Sequence, residues 1–140
     1  MKKIFLFLVI SSCFSIILNA QKKNIIKTSL IFPLAESFDI SYERILNDEM
    51  SLVIEGIIGS EFGAISPQFR YYLSEKNIAP TGAFVSPFGM IGSDGMTGGG
   101  VMVGYQRLFK EKLSLDAYIG PGIYVEAIAV WGGINLGFAF

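Results

Sequence analysis

Histidine is absent from the 140 residues, and the only cysteine, Cys13, sits in an apolar N-terminal stretch. An intrachain disulfide, a Cys/His zinc centre and Ser-His catalysis are therefore excluded. Charge is also scarce, at 16% Asp, Glu, Lys and Arg against 51% hydrophobic residues, with a mean hydropathy of +0.51. Soluble domains carry roughly 25% charged residues. Yet beyond the first twenty positions no apolar run approaches the ~20 residues of a membrane helix. Without those twenty positions, 9 basic residues face 12 acidic ones. Nucleic-acid binding has no electrostatic support.

The first segment reads as an export signal. Lys2 and Lys3 form a charged start, Ile4 to Leu18 an apolar core of 15 residues, and Leu18-Asn19-Ala20 a cleavage site ending in a small residue. Residues 1–20 are the expected signal peptide, 21–140 the mature domain, and Gln21 its first residue. An uncleaved anchor would have a short core interrupted by Ser11, Ser12 and Ser15. Ile10-Ser11-Ser12-Cys13 loosely resembles a lipidation box, but apolar residues continue for five positions past the cysteine.

Elsewhere the chain alternates with period two. Leu113, Leu115, Ala117, Ile119, Pro121 and Ile123 oppose Ser114, Asp116, Tyr118, Gly120, Gly122 and Tyr124. Such a pattern is a strand with one apolar face. Ile128, Val130, Ile134, Leu136, Phe138 and Phe140 share one parity in the last segment, with Gly132 as its gap. Glycine and charge clusters divide the chain into eight strands, approximately 24–33, 37–46, 50–59, 63–73, 81–91, 99–109, 113–124 and 128–140. Eight strands of about 9 to 11 residues suit a small transmembrane barrel. The expected fold is thus all-β, an eight-stranded antiparallel up-and-down barrel.

Soluble barrels alternate too, so the sign of the pattern matters. Here the polar parity is often glycine, alanine or serine, and charges gather in the turns, as a narrow filled lumen requires. Aromatic girdles are expected from Tyr42, Tyr71, Tyr72, Tyr105, Phe109 and Phe140 at one rim and from Phe32, Phe38, Tyr124 and Trp131 nearer the other. Pro67, Pro87 and Pro121 fall inside strands, where each removes a ladder donor. In strand five, Phe84, Phe88 and Met90 compete with Val85 and Ile91 for the outer face. Gly92 to Gly100 lacks the lysine and helix of a phosphate loop and reads as a flexible hairpin loop. Asp94 alone offers too few ligands for calcium.

The signal-like start, Ser41-Tyr42-Glu43-Arg44, Arg70-Tyr71-Tyr72 and the terminal Leu136-Gly137-Phe138-Ala139-Phe140 together resemble the small outer-membrane β-barrels of Gram-negative bacteria. These are single-domain barrels of unknown function with the architecture of OmpX and of the membrane half of OmpA. The resemblance covers the mature chain. It implies outer-membrane lipid as surroundings, termini in the periplasm, and turns near Asp48, Lys76 and Lys112 on that side. Turns near Ala35, Glu61, Asp94 and Glu126 would then face outward. It also implies that Ile134, Leu136, Phe138 and Phe140 form the signal read by the barrel-assembly machinery. Enzymes of such barrels rely on histidine, so no enzymatic activity, cofactor or metal is expected.

Lys27, Asp39, Glu43, Glu55, Arg70 and Asp116 fall on the polar parity and are the candidate lumen residues. Paired carboxylates can hydrolyse glycosides, but an eight-stranded lumen holds only side chains. A buried network of opposite charges is the expectation. A soluble periplasmic barrel binding an apolar ligand and a narrow channel are the competing readings.

Overall fold

The computed structural model describes residues 24–73, 78–125 and 127–140. The export expectations on Met1 to Ala20, Cys13 and Gln21, and those on Lys76 and Glu126, lie outside the described residues. Eight strands are present: β1 (Asn24–Ser29), β2 (Phe38–Ile45), β3 (Met50–Ile58), β4 (Gly63–Tyr72), β5 (Gly82–Gly92), β6 (Thr97–Phe109), β7 (Leu113–Tyr124) and β8 (Ala127–Ala139). Each pairs antiparallel with the next, and β1 pairs with β8, so the sheet is a closed up-and-down barrel. Closure runs from Ile25↔Ala139 through Thr28↔Leu136 to Ser29↔Asn135. The expected fold class is borne out.

The pairings also fix the stagger. They run Ile25↔Glu43, Glu43↔Val53, Val53↔Gln68, Gln68↔Phe88, Phe88↔Gly100, Gly100↔Gly122 and Gly122↔Ala129. Extending the β1–β8 register from Ser29↔Asn135 brings Ala129 level with position 35, ten residues from the start. In eight strands this stagger tilts each by about 40° and leaves an interior just wide enough for side chains.

Three local expectations are corrected. The first strand ends at Ser29, not near Pro33, because Ser29 Oγ accepts the amides of Ile31 (3.1 Å) and Phe32 (3.3 Å), and Pro33 then enters a 3-10 turn, Phe32–Ala35. A hydroxyl that captures the next amides bends the chain out of the ladder. Gly98, Gly99 and Gly100 are not loop but the start of β6, paired on both sides. A Cβ on Gly100 would stand 2.3 Å from the carbonyl oxygen of Pro121, so only glycine permits that approach. The hairpin itself is Ser93–Met96, with Asp94 at φ 55° and Gly95 at φ 74°. The prolines leave the strands whole, since register is unchanged on either side of Pro67 and Pro87 between β4 and β5 and of Pro121 between β6 and β7.

The β7–β8 hairpin places Val125 at φ 43°, a conformation that β-branched residues avoid. Val125→Gly is expected to raise the unfolding free energy by about 1 kcal/mol, read as a higher denaturant midpoint. An unchanged or lowered midpoint would show that this turn carries no strain.

Side chains on the two barrel faces have opposite character. Inward positions include Lys27, Asp39, Ser41, Glu43, Ser51, Glu55, Gln68, Arg70, Ser86, Gln106, Ser114, Asp116 and Asn135, all buried. Outward positions include Ile40, Ile54, Ile65, Val103, Ile119, Val130 and Phe138, all exposed. Among the described strand residues, the outward parity carries charge only at Arg44 and Arg107. Strand β5 resolves in the same sense: Phe84 and Met90 are buried, Phe88 packs against that core, and Ile91 is exposed.

Candidate functional site

The barrel interior is filled in layers. At the end where β1 begins and β8 finishes, Ile25, Ile45, Ala79 and Ala139 belong to an apolar cluster that reaches Tyr72 and Phe84. At the other end Ile57, Ala64 and Met90 pack with Phe32, Met96, Tyr124 and Trp131. Polar groups lie between these closures.

Four buried charges form one network. Lys27 on β1 reaches Glu43 Oε2 on β2 and Asp116 Oδ2 on β7, each at 2.6 Å. Arg70 on β4 approaches Asp116 Oδ2 at 3.3 Å and lies 4.4 Å from the ring centre of Phe84. Two cations thus balance two carboxylates. Gln106 on β6 is the neutral centre. Its Oε1 accepts from Lys27 (2.9 Å) and Arg70 (2.7 Å), while its Nε2 donates to Glu43 Oε2 and Ser114 Oγ, both at 3.0 Å. Tyr72 donates to Glu43 Oε1 at 2.8 Å, Ser51 donates to the same oxygen, and Asn135 donates to Asp116 Oδ1 at 3.2 Å. Alternation delivers these groups, because inward residues from β1, β2, β4, β6 and β7 converge where the lumen is narrow.

Asp39 and Glu55 are also buried, and among the described residues neither makes an ion pair with a cation. Asp39 Oδ1 accepts the amide of Ser29 at 2.7 Å, and Glu55 Oε2 accepts Gln68 Nε2 at 2.9 Å. Their carboxyl groups lie in contact. The six sequence candidates are therefore all in the lumen, in two groups. Sequence reasoning missed Gln106, Ser51, Ser114 and Asn135, whose signal was only their parity.

Four aromatic expectations are corrected. Tyr72 is buried in the network and is not a rim residue, since it shares the inward parity of Gln68 and Arg70. Trp131 also points inward, because Gly120 and Gly122 on β7 leave it room. It meets Phe88 and Tyr124 edge-to-face, with ring centres 5.8 Å apart in each pair. Phe32 and Tyr124, also expected at the rim, belong to the same plug. Tyr42, Tyr71, Tyr105, Phe109 and Phe38 do face outward.

The terminal strand presents Ile134, Leu136 and Phe138 outward. Phe140 follows β8 and joins β1 through its amide to Asn24 O (2.9 Å) and its carbonyl oxygen to Asn24 N (3.3 Å). Inside the barrel, a cavity of about 30 Å³ is lined by Glu55, Ser66, Gln68, Phe88, Tyr118 and Trp131 among others. It holds a water-sized guest, not a sugar or a fatty acid. No family model, curated protein or solved structure matches the chain.

Proposed function

We propose that the chain is a non-enzymatic integral outer-membrane β-barrel with a structural or envelope-associated role. The inverted polarity of the barrel carries this reading. Charges and amides line the inside, while large aliphatic side chains cover the outside. In water that arrangement would leave Ile40, Ile54, Ile65, Ile119 and Val130 unburied around the whole circumference. In lipid it leaves every strand hydrogen-bonded and the outward aliphatic side chains in hydrocarbon. Height agrees as well. The outward residues of β7 run from Leu113 to Ile123, and that length at about 3.4 Å per residue and 40° tilt covers about 25 Å.

The filled lumen argues against both competing readings. A lipocalin-like barrel keeps an apolar cavity for its ligand, whereas the narrow interior here is crossed by an ionic network. A channel needs a continuous wet path, and the clusters around Ile25 and Trp131 close both ends. Absence of histidine and the pairing of Lys27 and Arg70 with Glu43 and Asp116 support a non-enzymatic role. The test is fractionation. After carbonate washing the protein is expected in the outer-membrane pellet, migrating on a gel at different apparent sizes with and without boiling. Release into the soluble periplasmic fraction would refute the reading.

The family resemblance makes the terminal strand the signal for insertion by the barrel-assembly machinery. Deleting Phe140, or Phe140→Asp, is expected to reduce outer-membrane insertion in cells sharply, measured as the heat-modifiable fraction. Normal insertion of both variants would remove that role.

A further inference from the structure

We propose that Asp39, Glu55, Gln68 and Ser41 form a binding site for a small, hard divalent cation inside the barrel, separate from the Lys27–Arg70 network. Both cations of that network are engaged by Glu43 and Asp116, and among the described residues no ion pair joins Asp39 or Glu55 to a lysine or arginine. Two carboxyl groups thus touch in the interior without an ion-pair partner, and the charge of Arg70 reaches Glu55 only from a distance. Four oxygens around them are buried without a hydrogen-bond partner: Asp39 Oδ2, Glu55 Oε1, Gln68 Oε1 and Ser41 Oγ. Their residues are at most 4% exposed.

Register brings the four together. Ser41 lies directly across from Glu55 between β2 and β3. Glu55 lies opposite Ser66 on β4, one inward position from Gln68. Gln68 already donates its amide hydrogen to Glu55 Oε2, and its own carbonyl oxygen is left without a partner. The 30 Å³ cavity, lined by Glu55, Ser66 and Gln68 but not by Asp39 or Ser41, adjoins the set and supplies room for one completing water. Two carboxyl groups, an amide carbonyl and a hydroxyl are the ligand chemistry of calcium or magnesium, whose shells are completed by water. A proton shared between the carboxyl groups would join Asp39 Oδ2 to Glu55 Oε1 but leave Gln68 Oε1 and Ser41 Oγ unsatisfied.

This inference concerns the lumen and does not depend on the membrane reading, so it is tested on the detergent-folded protein. Calcium and magnesium are titrated into the chelator-treated protein at constant ionic strength, and the denaturant midpoint is followed. Terbium is used in parallel, with its emission sensitised through Trp131, the single tryptophan of the chain, which lines the same cavity. The wild type is expected to gain midpoint with a saturable divalent-cation dependence and to show sensitised emission. Asp39→Asn and Glu55→Gln are expected to weaken terbium affinity by at least about tenfold, while Asp94→Asn in the exposed hairpin leaves it unchanged. No midpoint shift in the wild type with either cation would overturn the proposal, whatever the variants do. A midpoint that rises only on acidification would assign the site to a shared proton instead.

Discussion

Lys27→Met is expected to lower the unfolding free energy of the detergent-folded barrel by about 3 to 5 kcal/mol, because removing one partner strands buried charge. Among the described residues the ammonium is the sole group that bridges both carboxylates of the network, at 2.6 Å from each. Without it, Glu43 keeps only neutral donors and Asp116 keeps Arg70 at 3.3 Å. Arg70→Ala is expected to destabilise in the same sense, since it removes a contact to Asp116 and the 2.7 Å bond to Gln106. Asp94→Ala, in an exposed hairpin, should change stability by less than about 0.5 kcal/mol. Combining Lys27→Met with Glu43→Gln should cost less than the two changes added, because neighbours in one network couple. The measurement is equilibrium denaturation. Negligible effects at both Lys27 and Arg70 would mean that the lumen is hydrated and the network contributes little.

A single arginine on the outer surface separates a lipid-facing barrel from a water-facing one. Val103 is exposed at the middle of β6, flanked by Val85 and Ile119 on neighbouring strands. In a bilayer, Val103→Arg is expected to destabilise the folded barrel by about 2 to 4 kcal/mol, whereas Ile128→Arg at the end of β8 should cost about 1 kcal/mol or less. That depth dependence is the diagnostic. For a barrel in water both substitutions would be nearly neutral or even improve solubility. Folding titrations in lipid vesicles read the difference directly. Equal, small effects at the two positions would count against a membrane belt.

Much of this architecture was legible because period-two alternation is strict where one face must be polar and the other apolar. Asp39, Arg70 and Asp116 each stand out in sequence as a charge between two apolar neighbours, while Lys27 and Glu43 follow from strand parity alone. Which charges pair was not legible, because pairing depends on stagger around the barrel and no local pattern encodes it. Gln106 stayed hidden for another reason: a neutral amide carries no charge signal, yet it joins both cations to Glu43. Aromatic positions misled where a strand end was taken for a rim. Tyr72 reaches Glu43 and packs on Phe84, while Trp131 lies over Gly122, and sequence parity indicated inward placement for both. The glycine run at Gly98 to Gly100 resembled a loop, but close strand approach, not turning, requires it.

Environment along one strand tests the central claim most directly. Single cysteines carrying spin labels, placed at each position from Leu113 to Ile123 on β7 in lipid vesicles, report access to oxygen and to a water-soluble relaxing agent. If the barrel spans lipid, labels at 115, 117, 119 and 121 contact oxygen and exclude the aqueous agent, with oxygen access greatest near the middle. Labels at those same positions reached by the aqueous agent along the whole strand would contradict the account.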